Sequence, residues 1–132
     1  VENGLSKSIN EKNATWITDC FMVMEEDIEK FDNKNEVRKM LFQRVIYGLI
    51  AIAMNIYFNP NNKECLSKRI NKFKSLIIDN PIYRESIKRC PLTRMDKFRI
   101  ITLYIIKLRL YFLLDPIGRV KQYMISKGKF TY

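Results

Sequence analysis

The sequence predicts an all-α fold, a bundle of four principal helices with one or two short extra helices. Three observations carry this. Apolar residues recur at three- and four-residue spacing through most of the chain. Only four Gly and four Pro occur in 132 residues, too few for the turn density of an all-β fold. One segment, Val45 to Met54, is apolar nearly all round, as the central helix of a bundle should be.

Residues 1–12 are polar, contain Gly4 and lack helical period, so they are expected to be a lead-in or linker. The chain opens without Met, as expected for a piece of something longer. Residues 13–132 are expected to form one α-helical domain. The first helix is expected to begin after Asn13 and end near Phe31, burying Trp16, Cys20, Val23, Met24, Ile28 and Phe31. Asp19, Glu25, Glu26 and Glu29 would face water. Asn33 and Glu36 stand at capping-box spacing and open a second helix reaching about Phe58. Gly48 lies within its apolar stripe, where a neighbouring helix can approach closely. At ten residues the Val45–Met54 stretch is too short to span a bilayer by itself and reads as core.

Asn59-Pro60-Asn61-Asn62 is a turn, with Asn61 and Glu64 offering a cap. The third helix then runs to Asp79. Leu66, Ile70, Phe73 and Ile77 form its inner sector, and Lys68, Arg69 and Lys72 point away. A short helix over Ile82–Lys88 follows Pro81. Thr93 and Asp96 are expected to cap a fourth long helix, which ends near Leu114 because Asp115-Pro116 interrupts it. A weaker helical stretch reaches about Ser126. Asp27 and Arg44 lie within the apolar stripes of their helices. They either sit at bundle ends and reach water or form a partly buried pair.

The chain has no histidine, which removes Ser-His-Asp and Cys-His triads, HExxH metal sites and the usual general base near neutral pH. No carboxylate pair or phosphate-cradling glycine loop stands at a recognisable spacing, so no catalytic, cofactor-binding or metal-ligating residue is expected. Cys20, Cys65 and Cys90 are an odd, widely spaced set that reads as buried free thiols rather than a disulfide framework or zinc site.

Charge is polarised along the chain. Residues 1–32 hold three Lys/Arg against eight Asp/Glu, a net −5; the remainder hold twenty-one against six, a net +15. Such a field attracts nucleic acid, anionic lipid or another acidic surface. Zinc-finger spacing, a helix-turn-helix pattern and ribonucleoprotein aromatics are missing, which ranks nucleic acid below the membrane. Arg94, Lys97, Arg99, Lys107 and Arg109 are the candidate membrane or polyanion contacts. They are spread around the fourth helix, whose Ile100–Leu114 stretch is an apolar rod interrupted only by Thr102, Lys107 and Arg109. Long basic stems can snorkel along it whether it lies in a bundle as ordinary core or against a lipid surface.

The order of features also suggests a family. Asn3-Gly4-Leu5-Ser6 precedes an acidic helix, and a long apolar helix starts near Met40-Leu41-Phe42. A basic helix ends at Asn80-Pro81, and Lys107-Leu108-Arg109-Leu110-Tyr111-Phe112-Leu113-Leu114 closes the set. In this the chain resembles the C-terminal helical extension of bacterial family 2 glycosyltransferases that build capsular and surface polysaccharides. The resemblance implies an upstream catalytic domain in the same polypeptide, which would bind a nucleotide sugar and a divalent metal. That domain's Asp-x-Asp motif and strands are not in this chain. It also implies a cytoplasmic setting at the inner face of the membrane, with this segment serving docking, acceptor placement or homo-oligomerisation. A stand-alone basic helical module for nucleic acid or a protein partner is the alternative.

Overall fold

The computed structural model describes residues 11–127, and the fold is all-α, with six α-helices and no strand among the described residues. In chain order they are α1 (Glu11–Ile28), α2 (Lys34–Ile52), α3 (Leu66–Asp79), α4 (Pro81–Arg89), α5 (Lys97–Lys107) and α6 (Leu114–Ser126). Helix α2 continues as a π-turn over Ala53–Tyr57, and a 3-10 turn over Tyr111–Leu113 leads into α6. Most of the expected lead-in lies outside the described residues, but Glu11 and Lys12 already belong to α1.

Helix α2 is the centre, packed against α1, α4 and α5. Val45, Ile46, Leu49, Ile50, Ile52, Ala53 and Met54 are almost completely buried, as their all-round apolarity requires. With its π-turn, the Lys34–Tyr57 helix has 24 residues and contains an 18-residue window with a mean hydropathy of 1.4, long and apolar enough to cross a membrane. Here 61% of that window is buried inside the bundle. Phe73 joins the end of this helix to later elements, with ring centroids 5.6 Å from Phe58, 6.0 Å from Tyr57 and 5.9 Å from Tyr111. Those tilted and edge-on arrangements are the favourable ones for aromatic rings.

The helix ends show how the polar residues are used. The last carbonyls of the π-turn have no partner within the helix. Asn59 Nδ2 donates to Asn55 O at 3.1 Å, Asn62 Nδ2 to Ile56 O at 2.8 Å, and Arg69 Nη1 to Tyr57 O at 3.3 Å. The Asn-rich turn is therefore a C-cap. Arg69 was expected in water but is buried, and its Nη1 also meets Asp115 Oδ1 at 2.9 Å. The reason is positional: Arg69 lies one turn from both Leu66 and Phe73, at the border of the inner sector rather than opposite it.

Helix α1 turns a different face inward from the one expected. It buries Ala14, Thr18, Phe21 and Ile28, while Trp16, Val23 and Phe31 are more than half exposed. Contacts across helices select that face. The Phe21 ring occupies the space above Gly48, where an added Cβ would come within 2.5 Å of it. Thr18 Oγ1 lies 2.6 Å from the Tyr83 hydroxyl inside the core. Gly48 thus permits the close approach its position suggested.

The caps move as well. Asn33 is the N-cap of α2, but its side chain makes no capping bond; its carbonyl accepts from Glu36 and Val37. Helix α3 starts at Leu66, after Cys65, and Glu64 instead binds Lys72 at 2.7 Å. Helix α5 starts after Asp96, three residues beyond Thr93.

A larger correction concerns the fourth long helix. It ends at Lys107, and Pro116 sits inside the first turn of α6, where its missing N–H costs nothing. The chain bends instead at Leu108–Leu110. There Arg109 has φ 61°, Leu110 N donates to Ile105 O at 3.0 Å, and Arg109 N donates to Ile106 O at 3.0 Å. This bond pair is the Schellman termination, with Arg where Gly is usual.

Candidate functional site

Five basic residues were expected to make the contact surface, and the bend divides them. Arg94 is exposed in a left-handed turn with φ 65°, and Lys97 is exposed at the start of α5. Arg99 is half-buried and engaged with the fold: its guanidinium stacks 4.6 Å over the Tyr47 ring and binds Asp96 at 2.6 Å. Burial alone would raise the Asp96 carboxyl, but the hydrogen bond and charge of Arg99 outweigh it and hold it below its ordinary range. Lys107 and Arg109 remain exposed at the far end, with the Lys107 ammonium 5.5 Å over the Tyr104 ring.

That far end forms a cleft. Arg84, Lys88, Lys107 and Arg109 line it together with Glu85, over an apolar floor that includes Ile77, Ile106 and Tyr111. Its volume is about 650 Å³. Glu85 is the only acid on the wall, and its carboxylate pairs with Arg89 at 3.3 Å. Burial raises the Tyr111 phenol above its ordinary value, against the pull of Arg109, so at neutral pH it stays protonated. Arg84 and Lys88 were not anticipated, although their spacing of four on a short helix puts both on one face.

Next to the cleft the outer side of α5 is apolar. Ile101, Tyr104 and Leu108 recur at helical spacing, and Phe112 follows in the 3-10 turn; Leu108 is 66% exposed. Thr102, Leu103, Ile106, Tyr111 and Leu114 face the core. The rod is thus core on one side and open surface on the other, with Lys97 at one end and Lys107 and Arg109 at the other.

A second cavity, of about 300 Å³, lies between α5 and α6, lined by Phe98, Ile101, Ile117, Val120, Lys121 and Met124 among others. Lys121 is only 3% exposed and its ammonium lies 5.4 Å over the Phe98 ring. Burial, helped by the charge of Arg99 and opposed by Asp96, pulls this lysine down to about 7. Asp27 and Arg44 both reach water, and no ion pair joins them among the described residues; Asp27 pairs with Lys30 at 3.3 Å.

Of the three thiols only Cys90 is buried, which pushes it up to about 11. Cys65 was expected to be buried but is exposed, because it sits at the N-terminus of α3. The Ser67 hydroxyl and the Lys68 backbone N–H lower its thiol. No cluster of three or more His, Cys, Asp or Glu side chains suited to a metal occurs among the described residues.

The arrangement offers cations, an aliphatic and aromatic ridge and a cleft with an apolar floor, which are means of binding. No known family model matches the chain, and no curated protein or solved structure matches it either.

Proposed function

We propose that this chain is a non-catalytic helical docking domain that seats on an anionic membrane surface through the outer side of α5. The setting we infer, from the sequence resemblance alone, is a glycosyltransferase of surface polysaccharide synthesis. There the domain would hold an upstream catalytic domain, with its nucleotide sugar and metal, against the membrane.

One observation carries the docking reading: the exposed ridge of Ile101, Tyr104, Leu108 and Phe112 ends in Lys107 and Arg109. Apolar side chains at acyl depth with cations at headgroup depth are the pattern of an interfacial helix. Each cation near an anionic leaflet contributes roughly 1 kcal/mol. Partial burial of Leu108 and Phe112 adds on the order of 1 kcal/mol each. A rival exposed apolar face, with Trp16, Val23 and Phe31, lies beside Asp19 and Asp27 and would be repelled by the same leaflet.

Co-sedimentation with vesicles tests the reading. Binding should require phosphatidylglycerol over phosphatidylcholine, weaken with salt, and disappear in Leu108→Glu/Phe112→Glu. If the chain ignores anionic vesicles at low salt while binding duplex DNA with a steep salt dependence, docking is wrong and a nucleic-acid module replaces it.

A further inference from the structure

We infer that the cleft between α4 and the end of α5 is a binding site for a phosphate group carrying two or more negative charges, a phosphomonoester or a diphosphate. Four cations line it against one carboxylate, and Arg89 draws that carboxylate away. Among the described residues no acid lies within ion-pair distance of Arg84, Lys88, Lys107 or Arg109. A wall with this excess of positive charge is stabilised by an anion placed against it.

The backbone makes this convergence. Residues two apart on a continuous helix project to different sides, so Lys107 and Arg109 could not share one wall of a straight α5. The left-handed turn at Arg109 ends the helix between them and lets both line the cleft that Arg84 and Lys88 reach from α4. A non-Gly residue held at φ 61° is the kind of local strain that clusters at ligand sites.

The charge count selects the ligand class. Four cations less one carboxylate leave three positive charges on the wall. A phosphodiester brings only one negative charge, whereas a phosphomonoester brings nearly two and a diphosphate more. The two guanidinium groups can each grip phosphate oxygens in a fork, and the lysines add point charges. Ile77, Ile106 and Tyr111 lower the local dielectric, which strengthens each of these contacts. Such a group can arrive free in solution or on a lipid headgroup.

This site does not rest on the docking reading, although Lys107 and Arg109 border both surfaces. Calorimetric titration of the full chain with inorganic pyrophosphate probes the free form. Vesicles carrying phosphatidic acid, compared with phosphatidylglycerol vesicles of matched surface charge, probe the lipid form. Saturable pyrophosphate binding below about 1 mM, weakened at least about tenfold by Arg84→Ser/Lys88→Ser, supports the site with a soluble ligand. A preference for phosphatidic acid that the same pair of changes abolishes supports it with a lipid ligand. Arg109→Gly, which the turn accommodates, should weaken either form while the fold persists, and the uncharged change Leu108→Ser should leave pyrophosphate binding intact while vesicle docking weakens. If neither pyrophosphate nor phosphatidic acid is preferred, or if both bind the Arg84→Ser/Lys88→Ser variant as well as the parent, the cleft is not a phosphate site.

Discussion

Arg109 and Arg94 both hold positive φ without being glycine. An L side chain in that region costs about 1 kcal/mol relative to Gly. Arg109→Gly is therefore expected to stabilise the chain by up to about 1 kcal/mol in urea denaturation, even as it removes a cleft cation. An unchanged or lower midpoint would show that the Arg109 side chain stabilises the fold itself. Asp115 is the opposite case. Burial would raise its carboxyl, but the hydrogen bonds from Arg69 at 2.9 Å and Arg119 at 3.3 Å prevail and hold it below its ordinary value. Its contribution is present above the unfolded carboxylate range and is lost as pH falls through the lower folded value, below about pH 4. Asp115→Asn should cost about 3 kcal/mol at pH 7, because Arg69 is left buried with no carboxylate. That cost should shrink on acidification. For Lys121 the sign reverses. The folded group ionises near 7 and the unfolded one near 10.4, so burial of its charge costs most below pH 7 and nothing above about pH 10. Lys121→Met is expected to raise the melting temperature at pH 6, by roughly 2 kcal/mol of stability after the ring contact is offset, with little gain at pH 10. A pH-independent gain would assign the effect to packing.

The elements show which parts of the fold periodicity can convey. Helices α2 and α3 and the short α4 occupy the stretches that apolar spacing, Pro60 and Pro81 marked out, although α3 starts only at Leu66, past its expected cap, because each has one dominant apolar sector or is apolar throughout. Helix α1 has apolar residues on two faces, and spacing alone chose one of which only Ile28 is buried. The choice was made by partners distant in sequence, Gly48 under Phe21 and Tyr83 against Thr18. The bend after Lys107 was hidden for a related reason. Helix stops are read from Gly and Pro, and here the stop is an arginine while the nearby proline merely opens α6. Lys107 and Arg109 were therefore legible as charges but not as one wall of a cleft. Arg84 and Lys88 carried a visible four-residue spacing on a helix too short to draw notice. Element packing also gives Gly118 a role: its Cα faces the Phe58 carbonyl so closely that an added Cβ would collide with it. Gly118→Ala should therefore cost about 1–3 kcal/mol by pushing α6 off the end of α2, measured by chemical denaturation. A neutral effect would mean that this contact can yield.

At the scale of the molecule, the acidic first helix and the basic remainder leave on α5 an open apolar ridge that ends in positive charge. Folding does not cancel the net charge of +10; it sorts it, with Arg69 buried in an ion pair, Arg99 half-buried against Asp96 and Tyr47, and Lys107 and Arg109 left outward. The ridge would be the part of the chain that enters the lipid, and a reporter within it tests docking most directly. Leu108→Trp in a Trp16→Phe background carries a single indole at that point. With phosphatidylglycerol vesicles its emission should shift to the blue and be quenched by brominated acyl chains, with both effects fading as salt rises. Vesicle binding without blue shift or quenching would mean that another face meets the membrane, and would contradict docking through α5.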